Sequence, residues 1–411
     1  MTTLSLTEWR TQRGLALSPP LVALLRQDFG ATVEPSTAGA ELRWDVTPTG
    51  KVGAVRRGPD TVVVRPKLDI ANVLYLLSVG SGADPWRDHD PRLAEAPDLT
   101  SAVGALFAAL AQRALARGVL RGYRTDRADL MTVRGRIDIA EQLRRRPGRM
   151  LPLAVQFAEH DEDILENRLL LAATLALRPV VGHAPAVARS LHRLRALLFE
   201  VTPVHIHAGH VPDVEWTRLN AHYRPAVELA RTILRRVSVD IGPGQTAALG
   251  LTLKMADVYE DFLFAALGRA LERTGGRAEP QAPCFLDTDG EVRMRPDIVW
   301  YSAPTRPRAV IDAKYKRETA SGPVDDDVYQ LLAYCTALDL PDGHLVYAEG
   351  PAAARPVRVV HGGPTIHTHA LDLAAKPAEL MAQVGRLAER IRIASEGAAA
   401  HRLVEPAQVS T

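Results

Sequence analysis

From residue 255 onward the chain alternates helical and extended patterns in one order: a helix over 255–274, strands over 291–295, 297–301 and 308–314, a helix over 326–338, a strand over 344–348 and a last helix over 377–393. Helix, strands, helix, strand is an α/β order, which limits this part to helices laid on the faces of a sheet. Residues upstream read differently. Short runs at 41–46, 52–56 and 61–64 are separated by the turn signals Thr49-Gly50 and Gly58-Pro59-Asp60, and a short helix follows over 72–79. Pro66 ends the last of these strands, since proline cannot donate to a ladder.

Residues 99–116, 163–177, 183–199 and 223–236 carry helical spacing of apolar positions, with Thr100 and Ser101 as candidate caps and a turn around Gly135 between the first two. A Gly242-Pro243-Gly244 break places a boundary near 240. The expected fold is therefore multidomain α/β. A small β-rich domain takes 1–95, a helical middle domain 96–240, the α/β domain 241–400 and a loose tail 401–411.

The chemistry gathers where two expected strands can pair. In Val310-Ile311-Asp312-Ala313-Lys314, residues two apart share a strand face, so Asp312 and Lys314 project together. Upstream, Arg295-Pro296-Asp297 leads into Ile298-Val299-Trp300, and the turn at 303–307 allows a hairpin that brings Asp297 near Asp312. Two carboxylates held close repel and call for a cation. Mg²⁺ suits them, with Mn²⁺ able to substitute, because it is hard and takes oxygen ligands. A lysine on the same face can orient or activate a water for phosphodiester hydrolysis. An Asp-x-Lys triplet alone is weak, since surface strands often alternate in polarity. Its weight here comes from order, separation and scarcity: the chain has six lysines, and Lys314 is one of them. Lys316 lies on the same face as a solvated neighbour or phosphate contact.

Pro296-Asp297 followed by Asp312-Ala313-Lys314 resembles the PD-(D/E)xK nuclease superfamily. That resemblance implies a restriction-endonuclease-like fold for the C-terminal domain. It also implies an acid from the preceding helix, for which Glu260 is the candidate, and support from Gln330 and Tyr334, one helical turn apart. Arg295 is a further supporting or DNA-contacting candidate. The likeness narrows to the McrC family, the nuclease subunits of two-component systems that restrict 5-methylcytosine DNA. It is carried by Val52-Gly53-Ala54-Val55, Arg65-Pro66-Lys67-Leu68, Arg134-Gly135-Arg136-Ile137-Asp138, Asp161-Glu162-Asp163 with Glu166-Asn167-Arg168, and Arg218-Leu219-Asn220-Ala221-His222-Tyr223. The middle motifs suggest structure rather than catalysis. The family likeness implies a DNA substrate and a hexameric AAA+ GTPase partner, docked by the N-terminal β-rich domain, whose hydrolysis the subunit stimulates.

The sequence agrees by omission. It contains no GxxxxGK[ST] loop, so no nucleotide is expected on this chain alone. Two alternatives stay open: an assembly and GTPase-stimulating factor with a secondary or inactive nuclease centre, and a standalone DNA nuclease.

Other features are weaker. His205, His207 and His210 could present imidazoles to zinc, but no acidic or cysteine ligand stands close. Arg144-Arg145-Arg146 with Arg149, and Arg121, Arg124 and Arg127 upstream, form a basic patch suited to DNA or a partner ring. The formal charge is only +2, so nucleic-acid affinity must come from such local patches. Two separated cysteines, no apolar leader and no long apolar run around 169–177 fit a cytoplasmic protein without a membrane span.

Overall fold

The computed structural model describes residues 2–36, 42–83, 98–181, 184–240, 248–303, 306–317, 325–350 and 356–404. Glu41, His183, the Gly242–Gly244 break, turn residues Pro304 and Thr305, and the tail from 405 lie outside the described residues. The chain forms two compact units, one of Met1–Glu95 with Thr252–Thr411, the other of Ala96–Leu251.

This corrects the expectation of a separate N-terminal domain. The first and last segments are one unit because groups far apart in sequence are buried together. The Tyr315 hydroxyl donates to Glu8 Oε1 at 2.8 Å, and Asn72 Nδ2 donates to the Leu373 carbonyl at 2.7 Å.

The N-terminal segment runs β1 (Thr2–Thr7), β2 (Gln12–Leu15), α1 (Pro19–Phe29), β3 (Thr32–Pro35), β4 (Trp44–Thr47), β5 (Lys51–Arg57), β6 (Asp60–Arg65) and α2 (Ile70–Gly80). β5 and β6 form the expected hairpin, and β1 adds to β6 in parallel. The apolar faces of these strands, Val52, Val55, Val62 and Val64, are fully buried.

The second unit contains α3 (Leu99–Ala114), β7 (Gly122–Leu130), β8 (Arg136–Ile137), α4 (Ile139–Arg145), β9 (Leu153–Asp161), α5 (Leu165–Leu177), α6 (Pro185–Leu197), α7 (Arg224–Arg236) and β10 (Val237–Asp240). The cap of α3 is Asp98, whose side chain accepts from the Ser101 amide, rather than Thr100 or Ser101. A carboxylate two residues before Thr100 reaches the free amides of the first turn. The 19-residue stretch Leu99–Arg117 is long and apolar enough to cross a membrane, but it is mostly buried inside the unit as a core helix.

The middle region is not wholly helical, since β7, β9 and β8 form an antiparallel sheet. The family-like motifs here are structural joints. Asp163 pairs with Arg168 at 2.6 Å and accepts from both the amide and the hydroxyl of Thr202. Asn167 donates to the Leu120 and Glu162 carbonyls, and Asn220 donates to Glu166. Gly135 sits at φ +74°, where a Cβ would be 2.5 Å from the Gln156 carbonyl oxygen, so only glycine fits.

β11 (Ala248–Lys254), paired with β10, carries the chain back to the first unit. There follow α8 (Met255–Leu263), a π-helical turn (Phe264–Gly268), α9 (Arg269–Glu272), β12 (Arg277–Pro280), β13 (Cys284–Phe285), β14 (Arg293–Met294), β15 (Ile298–Ala303), β16 (Arg306–Arg317), α10 (Asp325–Ala337), β17 (Asp342–Glu349), β18 (Val357–Arg358), β19 (Thr365–Ala370) and α11 (Pro377–Val404). The strand expected over 291–295 shortens to two residues, which pair with β13 instead of entering the main sheet.

The main sheet has the order β12-β15-β16-β17-β19-β18. β15 and β16 form the expected antiparallel hairpin, while β16, β17 and β19 run parallel. One face packs under α10, where Val299, Val310, Leu345 and Ile366 meet Leu331, Tyr334 and Cys335. Gly343 makes this approach possible, because a Cβ there would be 2.6 Å from Cys335 Sγ and 2.9 Å from Leu331. The opposite face holds buried histidines. His344 Nδ1 lies 3.1 Å from His369 Nε2, and the stacked His367 bonds Asp342 at 2.8 Å. Burial, then His369 and His367, keep His344 neutral far below its ordinary range.

Candidate active site

The β15–β16 hairpin sets two acids side by side. Register pairs Ile298 with Ile311, which places Asp297 opposite the end of the strand carrying Asp312. Asp297 Oδ2 accepts the backbone amide of Ala313 at 2.8 Å. The intervening alanine thus donates its amide across to Asp297, while Asp312 and Lys314 share the face under α10. Lys314 Nζ is 2.5 Å from Asp312 Oδ2, and it donates to Gln330 Oε1 at 2.8 Å. Gln330 Nε2 in turn bonds the Tyr334 hydroxyl at 2.8 Å, which donates to the Arg295 carbonyl at 3.2 Å. Gln330 and Tyr334, on successive turns of α10, therefore hold the lysine and tie the helix to the segment before Asp297. Arg295 contributes its carbonyl to this chain, and the residue itself is exposed.

The electrostatics are those of a cluster of acids short of counter-charge. Asp312 is 2% exposed. Burial pushes its carboxyl far above the usual range, the charge of Asp297 pushes it further, and Lys314 pulls against both. Asp297 is raised likewise, by burial first and by Glu260 among its neighbours, against the Ala313 amide. Burial pulls the Lys314 ammonium down, but Asp312, Asp327 and Asp297 outweigh it and raise the group above its ordinary range.

Glu260 comes from α8. It is half-buried and raised chiefly by burial, and it feels Asp312 and Lys314 without bonding either. Among the described residues, no group of three or more His, Cys, Asp or Glu side chains is gathered closely enough to hold a metal ion. The donor set that fits a hard cation is thus the Asp297–Asp312 pair, whose mutual repulsion such an ion would relieve. Glu260 stands outside it, and so do His205, His207 and His210.

One residue of this centre escaped the sequence reading. Asp327, 5% exposed in the first turn of α10, accepts from the Tyr347 hydroxyl at 2.8 Å and pairs with Lys316 Nζ at 2.8 Å. It lies 3.9 Å from Lys314 Nζ. Its only sequence signal is the acid run Asp325-Asp326-Asp327, which reads equally as an ordinary helix start. Lys316 is accordingly tethered to a buried acid rather than loose in solvent.

A mixed sheet with a helix clamped across two acids and a lysine defines an α/β protein with a charged centre between helix and sheet. The family model described as McrBC 5-methylcytosine restriction system component matches residues 46–348, and the chain belongs to that family. Among solved structures, it resembles a chain of the half-complex from the tetradecameric assembly of Thermococcus gammatolerans McrB AAA+ hexamers with bound McrC. Identity is 18% over 95% of this chain and 100% of that one, with a TM-score of 0.54. A second match is to the Thermococcus gammatolerans McrBC complex, at 21% identity over 66% of this chain and 88% of that one, with a TM-score of 0.41. No curated protein matches.

Proposed function

We propose that this chain is the DNA-cleaving subunit of a modification-dependent restriction complex, acting together with a hexameric AAA+ GTPase. Membership of the McrBC family supports the restriction role, and the half-complex that shares its fold pairs AAA+ McrB hexamers with McrC. The observation that carries the cleavage reading is the Lys314 ammonium, held between Asp312 Oδ2 and Gln330 Oε1 beside the half-buried Asp297.

Asp297 and Asp312 would hold Mg²⁺, or Mn²⁺ in its place, with Glu260 of the preceding helix outside the pair. When bound, the cation supplies Lewis-acid activation of water and neutralises charge on the phosphate. The chain's own groups do the rest. Asp312 and Gln330 fix the Lys314 ammonium in one orientation, from which it stabilises the developing negative charge and orients the attacking water. Tyr334 keeps Gln330 from rotating away by bonding it and the Arg295 carbonyl together. Lys316, paired with Asp327 on the strand two residues beyond, offers a second cation for the DNA backbone.

Reconstitution with the GTPase partner tests the proposal. Asp312→Ala and Lys314→Ala should abolish cleavage of methylated DNA while leaving partner GTP turnover at the wild-type rate. Full cutting by both variants overturns the assignment of this centre. Loss of GTP turnover along with cutting would point to the assembly-factor alternative.

A further inference from the structure

Several of the chain's exposed arginines are paired with neighbouring acids. In the 144–149 patch, Arg144 bonds Glu141 at 2.7 Å and Arg146 bonds Asp129 at 2.6 Å, so the densest basic run is largely neutralised from within. Arg124 pairs with Asp161 at 3.0 Å, and Arg134 with Glu159 at 3.1 Å. A groove in the second unit breaks this habit. It has a volume of about 890 Å³ and lies between the C-terminal end of α5 and one side of α6. Arg178, Arg189, His192 and Arg193 line it over a floor that includes Leu175 and Pro179.

Arg178 and Arg189 make no side-chain hydrogen bond or ion pair among the described residues, and Arg193 only donates to the Ser190 hydroxyl at 3.2 Å. Among the described residues, no carboxylate lines the groove. The whole of α6, from Pro185 to Leu197, contains three arginines and a histidine and no acid. Arg189 and Arg193 stand at i and i+4, where like charges weaken an isolated helix. Arg178 gains from the α5 dipole at that helix's C-terminus, but Arg189 and Arg193 have no such compensation.

We infer that this groove is a second, non-catalytic DNA site, in which Arg178, Arg189 and Arg193 take the phosphodiester backbone. It deepens the reading of the chain as a DNA-acting subunit and rests on it. Phosphate is the anion that rewards several guanidiniums at once, through forked, charge-assisted hydrogen bonds. A polymer fits better than a free nucleotide, because Arg178, Arg189, His192 and Arg193 are all exposed along an open groove instead of enclosing a small ligand. Arg189 and Arg193 lie about 6 Å apart along the helix, and Arg178 adds a third cation from the neighbouring one. The groove would grip DNA without reading its bases, as backbone contacts do.

The test is fluorescence anisotropy of a labelled DNA duplex with the full chain in EDTA, so that binding is read apart from cutting. Arg189→Gln with Arg193→Gln should weaken binding by ~10-fold or more and lower the salt-dependence slope by about 2, one unit per lost phosphate contact. Arg144→Gln with Arg146→Gln removes the same formal charge elsewhere and should change binding far less. Equal loss from both pairs, or none from the groove pair, overturns the inference. Protection of the groove arginines by GTP or inorganic phosphate, without groove-dependent duplex binding, overturns the DNA version in favour of a small-anion site. Cleavage is scored separately with Mg²⁺ and partner. Groove-dependent binding by a wild-type chain that never cuts would sink the nuclease reading and leave this site standing.

Discussion

The carboxylate of Asp297 accepts its hydrogen bond from the amide of Ala313, the residue between Asp312 and Lys314. The contact locks the hairpin at the candidate site. It also keeps Asp297 close enough to raise Asp312, so the two acids are held in an arrangement that is unfavourable without a cation.

Asp312→Asn should therefore stabilise the metal-free protein at neutral pH while abolishing cleavage. The sign follows from the upward shift. The folded state holds its proton to higher pH than the unfolded chain, so the stabilisation from that proton is present below the ordinary carboxylate range. It is lost as pH rises through the shifted value. Thermal melts in EDTA at pH 7.5 should show the variant ~2–4 °C above wild type. At pH 4 the difference should vanish. Added Mg²⁺ should raise the melting temperature of wild type but not of the variant.

Gln330→Ala should lower the cleavage rate by ~10- to 100-fold with little change in stability, because Lys314 keeps its ion pair but loses its orientation. Single-turnover kinetics with saturating DNA isolates this step. An unchanged rate would remove Gln330 from the centre. Tyr334→Phe should reproduce a milder form of the defect, since it frees Gln330 while leaving the ring packed.

Gly343→Val should destabilise the first unit by about 1–3 kcal/mol through overpacking, as its side chain would collide with Cys335 and Leu331. Urea unfolding measures the loss. The same variant should lose activity out of proportion, because lifting α10 withdraws Gln330, Tyr334 and Asp327 together.

Asp327→Ala should cost roughly 1–3 kcal/mol, leaving the buried Tyr347 hydroxyl without its acceptor. Lys316 would be released to solvent. If Asp327 were merely a surface helix acid, urea midpoints of variant and wild type would coincide.

The histidines on the other face titrate with the opposite sign from Asp312. Burial first, then Arg390 and His367, hold His369 down to about 3, and His344 is lowered as well. Their stabilising neutrality is complete above the ordinary histidine range and declines as pH falls below about 6.5. His344→Gln should flatten the loss of melting temperature between pH 6.5 and 5. An unaltered slope would place the acid sensitivity elsewhere.

The site was legible from sequence because strand alternation fixes Asp312 and Lys314 on one face, and a single hairpin fixes Asp297. Local rules suffice for contacts of that kind. Gln330 and Tyr334 were found through family likeness and helical spacing, which gave their face but not the bonds through Lys314 and Arg295. Asp327 stayed hidden because its meaning depends on Tyr347, a partner across the sheet.

β7 escaped for a different reason. Its residues alternate between half-buried and exposed with no apolar face, so no hydrophobic period marks the strand. The 144–149 patch misled because its sequence shows the arginines but not Asp129, which lies 17 residues from Arg146 and beside it in space. The N-terminal strand was invisible because β1 is recruited in parallel by β6, a pairing set by tertiary context rather than local pattern.

The bond between Glu8 and Tyr315 spans 307 positions, and Tyr315 is the immediate neighbour of Lys314. During synthesis Glu8 must therefore wait for residue 315 to emerge before this partner exists. The site around Asp312 and Lys314 is completed late, by a clasp between the oldest and some of the newest residues, and a ribosome that stalls midway releases a chain without it.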